Sequence, residues 1–217
     1  MDELTLIQKI AVWALPVIFA ITVHEVAHGW VALKFGDRTS QMLGRLTLNP
    51  FKHIDLVGTI VVPAALLLMG GFIFGWAKAI PVNTKNFKRP RHDMAWVALA
   101  GPASNILMAI IWAVIAKIGY MVLPSYEGVG EFLVYSGMAG VMINLVLAIL
   151  NMIPIPPLDG SRIAAAFMSN KFHYYYMRIE PFGFFIILGL MLTGVLSALI
   201  SGPFRAFQSI ILQLVGL

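Results

Sequence analysis

The sequence contains no cysteine among its 217 residues, so disulfides and thiolate metal sites are both excluded. Charge is scarce as well: Lys and Arg number 15, Asp and Glu 10, together 12% of the chain. A soluble domain carries about 25% charged and about 45–50% apolar residues. Here the apolar share is 59% and the mean hydropathy is +0.86. No repeat or low-complexity tract is present, and every polar connection is short. These lacks exclude a water-soluble globule and leave an all-α polytopic membrane protein. The N-terminus, "MDELTLIQKIAVWALPVIFA", begins acidic and lacks a small-residue cleavage site, so it reads as a retained first helix rather than a signal peptide. The net charge of +5 is spread between apolar segments. No nucleic-acid partner is expected, and the basic residues report topology instead.

A spanning helix needs about 20 mostly apolar residues. Segments 6–33, 94–120, 132–152 and 182–201 meet that length. A fifth stretch, "LVGTIVVPAALLLMGGFIFGW" at 56–76, carries Pro63, Gly70, Gly71 and Gly75. Its flanks are basic: Lys34, Arg38, Arg45 and Lys52 precede it, and Lys78, Lys85, Lys88, Arg89 and Arg91 follow. Arg162, Lys171 and Arg178 mark a third basic segment, whereas 121–131 holds two Glu and no Lys or Arg. The positive-inside rule puts 34–55, 77–93 and 160–181 in the cytoplasm, with 121–131 and the N-terminus outside. With both flanks cytoplasmic, 56–76 is expected to be re-entrant, with an extended return forming a short β-hairpin. Extended backbone at that depth survives only against protein or water, so the return should line a cavity. A full crossing is the other reading, giving four to five transmembrane helices in all. After Gly202-Pro203 the tail "FRAFQSIILQLVGL" is too short to span and reads as a C-terminal interfacial helix.

One stretch conflicts with a lipid setting. "HEVAH" places His24, Glu25 and His28 inside the first span. An ionisable residue at mid-depth costs at least ~2.5–3.5 kcal/mol, so its default reading is functional. Histidines four apart project from one helix face and can share one zinc, with Glu25 beside the metal as general base. The plainer alternative is a pair of histidines hydrogen-bonded to neighbouring helices. His24 precedes Lys34 by ten residues, about 15 Å at 1.5 Å per residue, so the site lies within the bilayer near the cytoplasm. A catalytic zinc usually takes three protein ligands. His53, His92 and His173 fall in loops and are expected to be solvated or interfacial. Asp159 follows "NMIPIPPL", where three prolines forbid a regular helix and let the chain aim a carboxylate sideways. It could instead cap the short helix that starts near Gly160.

"HEVAH", "AGPASN" at 100–105 and "NMIPIPPLDG" occur in this order, and together they resemble the site-2 protease family of intramembrane zinc metalloproteases. "GGFIFGWAKAIPVN" is similar to that family's glycine-bearing hairpin, with Ala79 where proline is common. The resemblance covers about 24–162. It implies one zinc per chain held by His24, His28 and Asp159, with Glu25 as general base. It also implies substrate-binding roles for Asn151, which would hold the substrate backbone, and for Asn105, near the site; for both, the other reading is a helix-to-helix amide hydrogen bond. The whole chain, 1–217, then reads as one membrane-embedded protease domain without PDZ or CBS modules, with a catalytic core at about 6–168 and a helix and tail at 182–217. The implied partners are transmembrane protein substrates and the lipid bilayer, in a cell membrane crossed several times. A substrate helix must unwind before cutting, and the return strand through Gly71, Phe72, Ile73, Phe74 and Gly75 could accept it by strand addition. The other reading of the residues is a non-proteolytic zinc protein or metal transporter. A transporter, however, wants ionisable groups on both sides of the midplane, and the outer half here has almost none. Substrate identity and oligomeric state are not legible in the sequence.

Overall fold

The computed structural model describes residues 4–61 and 78–217. Among them the α-helices are α1 Leu6–Lys34, α2 Thr39–Met42, α3 Pro90–Val122, α4 Glu127–Asn151, α5 Asp159–Ala166, α6 Asn170–Met177, α7 Gly183–Leu192 and α8 Val195–Val215. No strand occurs among the described residues. Five stretches are long and apolar enough to cross a membrane: α1, α3, α4, the run Asn170–Leu192, and α8. The multi-pass architecture expected from composition is therefore present. The predicted hairpin and its residues Gly71, Phe72, Ile73, Phe74 and Gly75 lie outside the described residues.

α1 opens with a reciprocal cap. Thr5 Oγ1 accepts from the Gln8 amide at 3.4 Å while Gln8 Oε1 accepts from the Thr5 amide at 2.8 Å. Leu6, Ile7, Ile10 and Leu15 on this helix stay exposed, as lipid-facing side chains should. The central contact is between α3 and α4, joined by a four-residue turn. Lipid tails are as apolar as leucine, so helices in a bilayer associate by close packing rather than by a hydrophobic effect. Small residues supply that closeness. A Cβ on Gly137 would lie 2.5 Å from the Ala116 amide nitrogen, and one on Gly140 would lie 2.1 Å from Trp112 Cγ. Ala109, Trp112, Ala113, Val141 and Leu145 complete a buried core.

The C-terminal third departs from expectation. The single span predicted at 182–201 is divided by Gly194, whose φ of +76° is a left-handed conformation that glycine adopts without strain. The tail is not a separate interfacial helix. Pro203 sits within α8, which runs unbroken through Gly202-Pro203. Ile211 is buried against the α3–α4 core, with Phe204, Leu212 and Val215 beside it. Lys117 Nζ donates to the Gly216 carbonyl at 2.6 Å and holds the end of α8 to α3. Proline removes only one helical hydrogen bond, a loss that membrane helices tolerate when neighbours pack around it.

Beyond α1 the chain is stitched to the segment that follows residue 77. Asp37, fully buried just past the helix end, accepts from the Thr39 hydroxyl at 2.5 Å, the Asn83 amide at 2.7 Å and Asn86 Nδ2 at 2.7 Å. Ser40 Oγ donates to the Pro81 carbonyl at 2.6 Å, and Arg45 Nη2 to the Lys78 carbonyl at 2.8 Å. Burial alone would raise the Asp37 carboxyl, but these donors outweigh it and hold the group below the usual carboxylate range.

Two outcomes follow for thermal unfolding in detergent. Gly140→Ala should cost about 1–3 kcal/mol through overpacking on Trp112, whereas Gly202→Ala, with nothing within 4 Å, should be neutral or stabilising. Asp37 has its lowered value only when folded, so its contribution is present above about pH 4 and lost as pH falls through the folded value. Melting temperatures taken downward from pH 6 should therefore drop less steeply in Asp37→Asn than in the unmodified chain.

Candidate metal centre

His24 and His28 project from one face of α1 with ring centroids 4.6 Å apart. Their Nε2 atoms are 3.0 Å apart, and each lies 3.3 Å from Asp159 Oδ2. Both rings are buried. Asp159 arrives from elsewhere: α4 ends at Asn151, and an irregular turn of prolines carries the chain back before α5 begins at Asp159 itself. The turn can fold this tightly because residue 160 is glycine; a Cβ there would lie 2.3 Å from the Met152 carbonyl oxygen. The capping position of α5 is Leu158, with no side-chain cap, so Asp159 is free for another task.

Proton accounting defines that task. His24 Nδ1 is 2.6 Å from Asn105 Oδ1, and His28 Nδ1 is 2.7 Å from the Val97 carbonyl oxygen. The Asn105 amide cannot be reversed, because its Nδ2 already donates to the Ala20 carbonyl at 3.1 Å and to Asn144 Oδ1 at 2.9 Å. Asn144 is oriented in turn by its bond to the Gly140 carbonyl at 2.8 Å. A neutral imidazole held in this way carries its proton on Nδ1 and presents a lone pair at Nε2. Asp159 Oδ2 is buried with no hydrogen-bond donor. Three electron-rich atoms thus face one another in a largely buried place, an arrangement that calls for a cation. Tetrahedral zinc with bonds of ~2.0–2.1 Å has ligand-to-ligand edges of about 3.3 Å. The observed edges are 3.0, 3.3 and 3.3 Å, so the residues present fit zinc. Among the described residues this is the one cluster of three or more such side chains within metal-binding reach.

Two flanking residues matter for different reasons. Glu25 is half-buried next to the rings, and its Oε2 accepts from the Ile80 amide at 2.6 Å. Gly101 is where α3 touches both histidines: a Cβ there would come within 2.5 Å of His24 Cε1 and of His28 Nε2. Sequence reasoning had the glycine inside "AGPASN" and gave it no role. The signal was its place one turn before Asn105, on the same face of α3.

Other expectations are placed as follows. Asn105 is completely buried, and its oxygen and nitrogen are occupied by His24, Ala20 and Asn144. It orients a ring, and these bonds match the helix-to-helix amide reading of this residue. Asn151 is only half-buried at the end of α4, where its Nδ2 donates to the Leu147 carbonyl at 3.0 Å. His53 is not solvated as expected. It is 2% exposed, with Nε2 held 2.8 Å from the Thr47 carbonyl oxygen, because the 43–55 loop folds over it.

With this geometry in view, the comparisons are decisive. The model for "Peptidase family M50" matches residues 12–135 and 126–193. The chain belongs to peptidase family M50. It is thus a member of the site-2 protease family and a metalloprotease by type. It is similar to "Putative zinc metalloprotease YwhC" of Bacillus subtilis, 38% identical over 205 residues, covering 91% of this chain and 87% of that one. It is also similar to "Putative zinc metalloprotease Rip2" of Mycolicibacterium smegmatis, 25% identical over 83% of this chain and 66% of that one. "Putative zinc metalloprotease MJ0611" of Methanocaldococcus jannaschii is 28% identical over 64% of this chain and 62% of that one. No solved structure matches the chain.

Partners that orient metal-binding histidines typically contribute 10–100-fold to metal affinity. Asn105→Ala should therefore weaken zinc binding by about that factor. Zinc retained against a graded series of chelators measures the effect, and unchanged retention would dismiss the orienting role.

Proposed function

We propose that this M50 peptidase is an intramembrane zinc metalloendopeptidase that hydrolyses peptide bonds within transmembrane segments of membrane proteins, in the manner of regulated intramembrane proteolysis. The observation that carries this reading is the convergence of three metal-ligand atoms, from α1 and α5, with Glu25 next to His24 in the chain. The names of its relatives, all zinc metalloproteases, support zinc as the ion.

His24, His28 and Asp159 would hold one zinc ion per chain. When bound, zinc supplies a Lewis acid and makes water a nucleophile near neutral pH. The chain's own residues do the rest. Asn105 and the Val97 carbonyl keep both imidazoles in the tautomer that offers Nε2. Glu25 takes a proton from the attacking water as it adds to the scissile carbonyl carbon. The same carboxyl then gives that proton to the departing amine nitrogen as the C–N bond breaks. The Ile80 amide restrains one Glu25 oxygen, leaving the other to move the proton.

A substrate helix must expose its peptide bonds before cutting, because within a bilayer they are hydrogen-bonded internally. Asn151 and the segment Gly71, Phe72, Ile73, Phe74 and Gly75 are assigned to hold the unwound chain, the latter by strand addition. The basic segments beside the His28 end of α1 support a site near the cytoplasmic face of a cell membrane.

Glu25→Gln should keep zinc while slowing cleavage of a reporter transmembrane helix by 10²-fold or more. Asp159→Asn should lose both metal and cleavage. Measured zinc content beside reporter processing separates these outcomes. Full processing by Glu25→Gln sinks the proposal and favours a metal-binding protein without protease activity.

A further inference from the structure

A cavity lies away from the metal centre, between the first turn of α3, α5 and α6. Its volume is about 220 Å³. Arg91, Arg162 and His173 line it, over an apolar floor of Ala165, Ala166 and Met177. Arg91 and Arg162 both act electrostatically on His173, so the positive potentials of the two guanidinium groups overlap at its ring. The acids nearby are already engaged. Asp93 accepts from the Arg89 amide at 2.8 Å and lies 3.9 Å from Arg89 Nε. Glu180 accepts from Arg162 Nη2 at 2.5 Å, with no other partner of that guanidinium among the described residues. Arg91 Nη1 makes a single bond, to the Met168 carbonyl at 3.2 Å.

We propose that this cavity binds a phosphate-bearing anion, the phosphodiester headgroup of an acidic membrane lipid. Guanidinium groups offer planar, forked donors that match phosphate oxygens. The surroundings favour a lipid over a soluble anion. On α6 the side chains of Phe172, Tyr174 and Tyr175 are exposed, forming the kind of aromatic belt that sits at headgroup level. Basic pockets between membrane helices on the cytoplasmic side suit acidic headgroups, and an apolar floor accommodates the glycerol end of such a molecule. α5 joins the two sites: Asp159 opens it and Arg162 follows one turn later.

The test uses the full chain purified in neutral detergent and titrated with three probes: short-chain phosphatidylglycerol, short-chain phosphatidylcholine and inorganic phosphate. Phosphatidylglycerol should bind saturably and phosphatidylcholine should not. Removing one cationic side chain near a headgroup corresponds to about a fivefold loss, so Arg91→Gln should weaken phosphatidylglycerol by that amount. Thr84→Glu, an exposed substitution at the rim, should weaken it as well and serves if Arg91→Gln folds poorly. Inorganic phosphate binding as tightly as the lipid, and weakened by the same substitutions, would keep the phosphate site but overturn the lipid as its occupant. Failure of both anions to bind, or phosphatidylglycerol binding unaltered in both variants, overturns the site altogether.

Discussion

Two imidazole protons organise this molecule. One goes to Asn105 and the other to the Val97 carbonyl, and both acceptors belong to α3. Satisfying them turns two lone pairs inward, toward a carboxylate that has no donor of its own. An uncompensated cluster of this kind would be unfavourable in a membrane-level core, because buried polar atoms cost free energy unless they are partnered. A bound cation would supply the missing partner, and the candidate metal centre would then stabilise the fold as well as carry its chemistry.

α3 serves two interfaces with two stripes. Val97, Gly101 and Asn105 recur every four residues and face the histidines of α1. Further along, Trp112 and Ala116 meet Gly140 and Gly137 of α4. Both contacts depend on residues without bulk, since each allows an approach that one added methyl group would prevent. The glycine against the imidazoles therefore belongs to the chemistry as much as to the packing. The segment after residue 77 adds a third tie. Ile80 sends its amide to Glu25, and its side chain fills the space that Gly29 leaves on α1. Asp37, Ser40 and Arg45 hold the same segment from the far end of that helix. The position of the candidate base is thereby coupled to a loop that contributes no catalytic side chain.

Much of the candidate site was readable in advance because its signals are local or chemically scarce. His24 and His28 are one helical turn apart, and few acids compete with Asp159 at that depth. The role of Asn105 stayed open because amide chemistry alone does not distinguish a substrate contact from a histidine anchor; its three occupied partners favour the anchor. The C-terminal third was misread for a related reason. Gly194 and Gly202-Pro203 carry similar breaker signals. One breaks the helix and the other is absorbed, because Phe204 and Ile211 find a groove on α3 and α4.

By itself the sequence determined the solvent in which this chain folds, the helices that composition demands, and the kinds of atoms available to a metal. Those follow from transfer free energy and from side-chain chemistry, which are properties of residues. The tertiary structure decided which nitrogen of each ring stays bare, which amide is spent on orientation, and where the last helix lies. Those depend on distances between segments far apart in the chain, and such distances are fixed only when the helices close on one another.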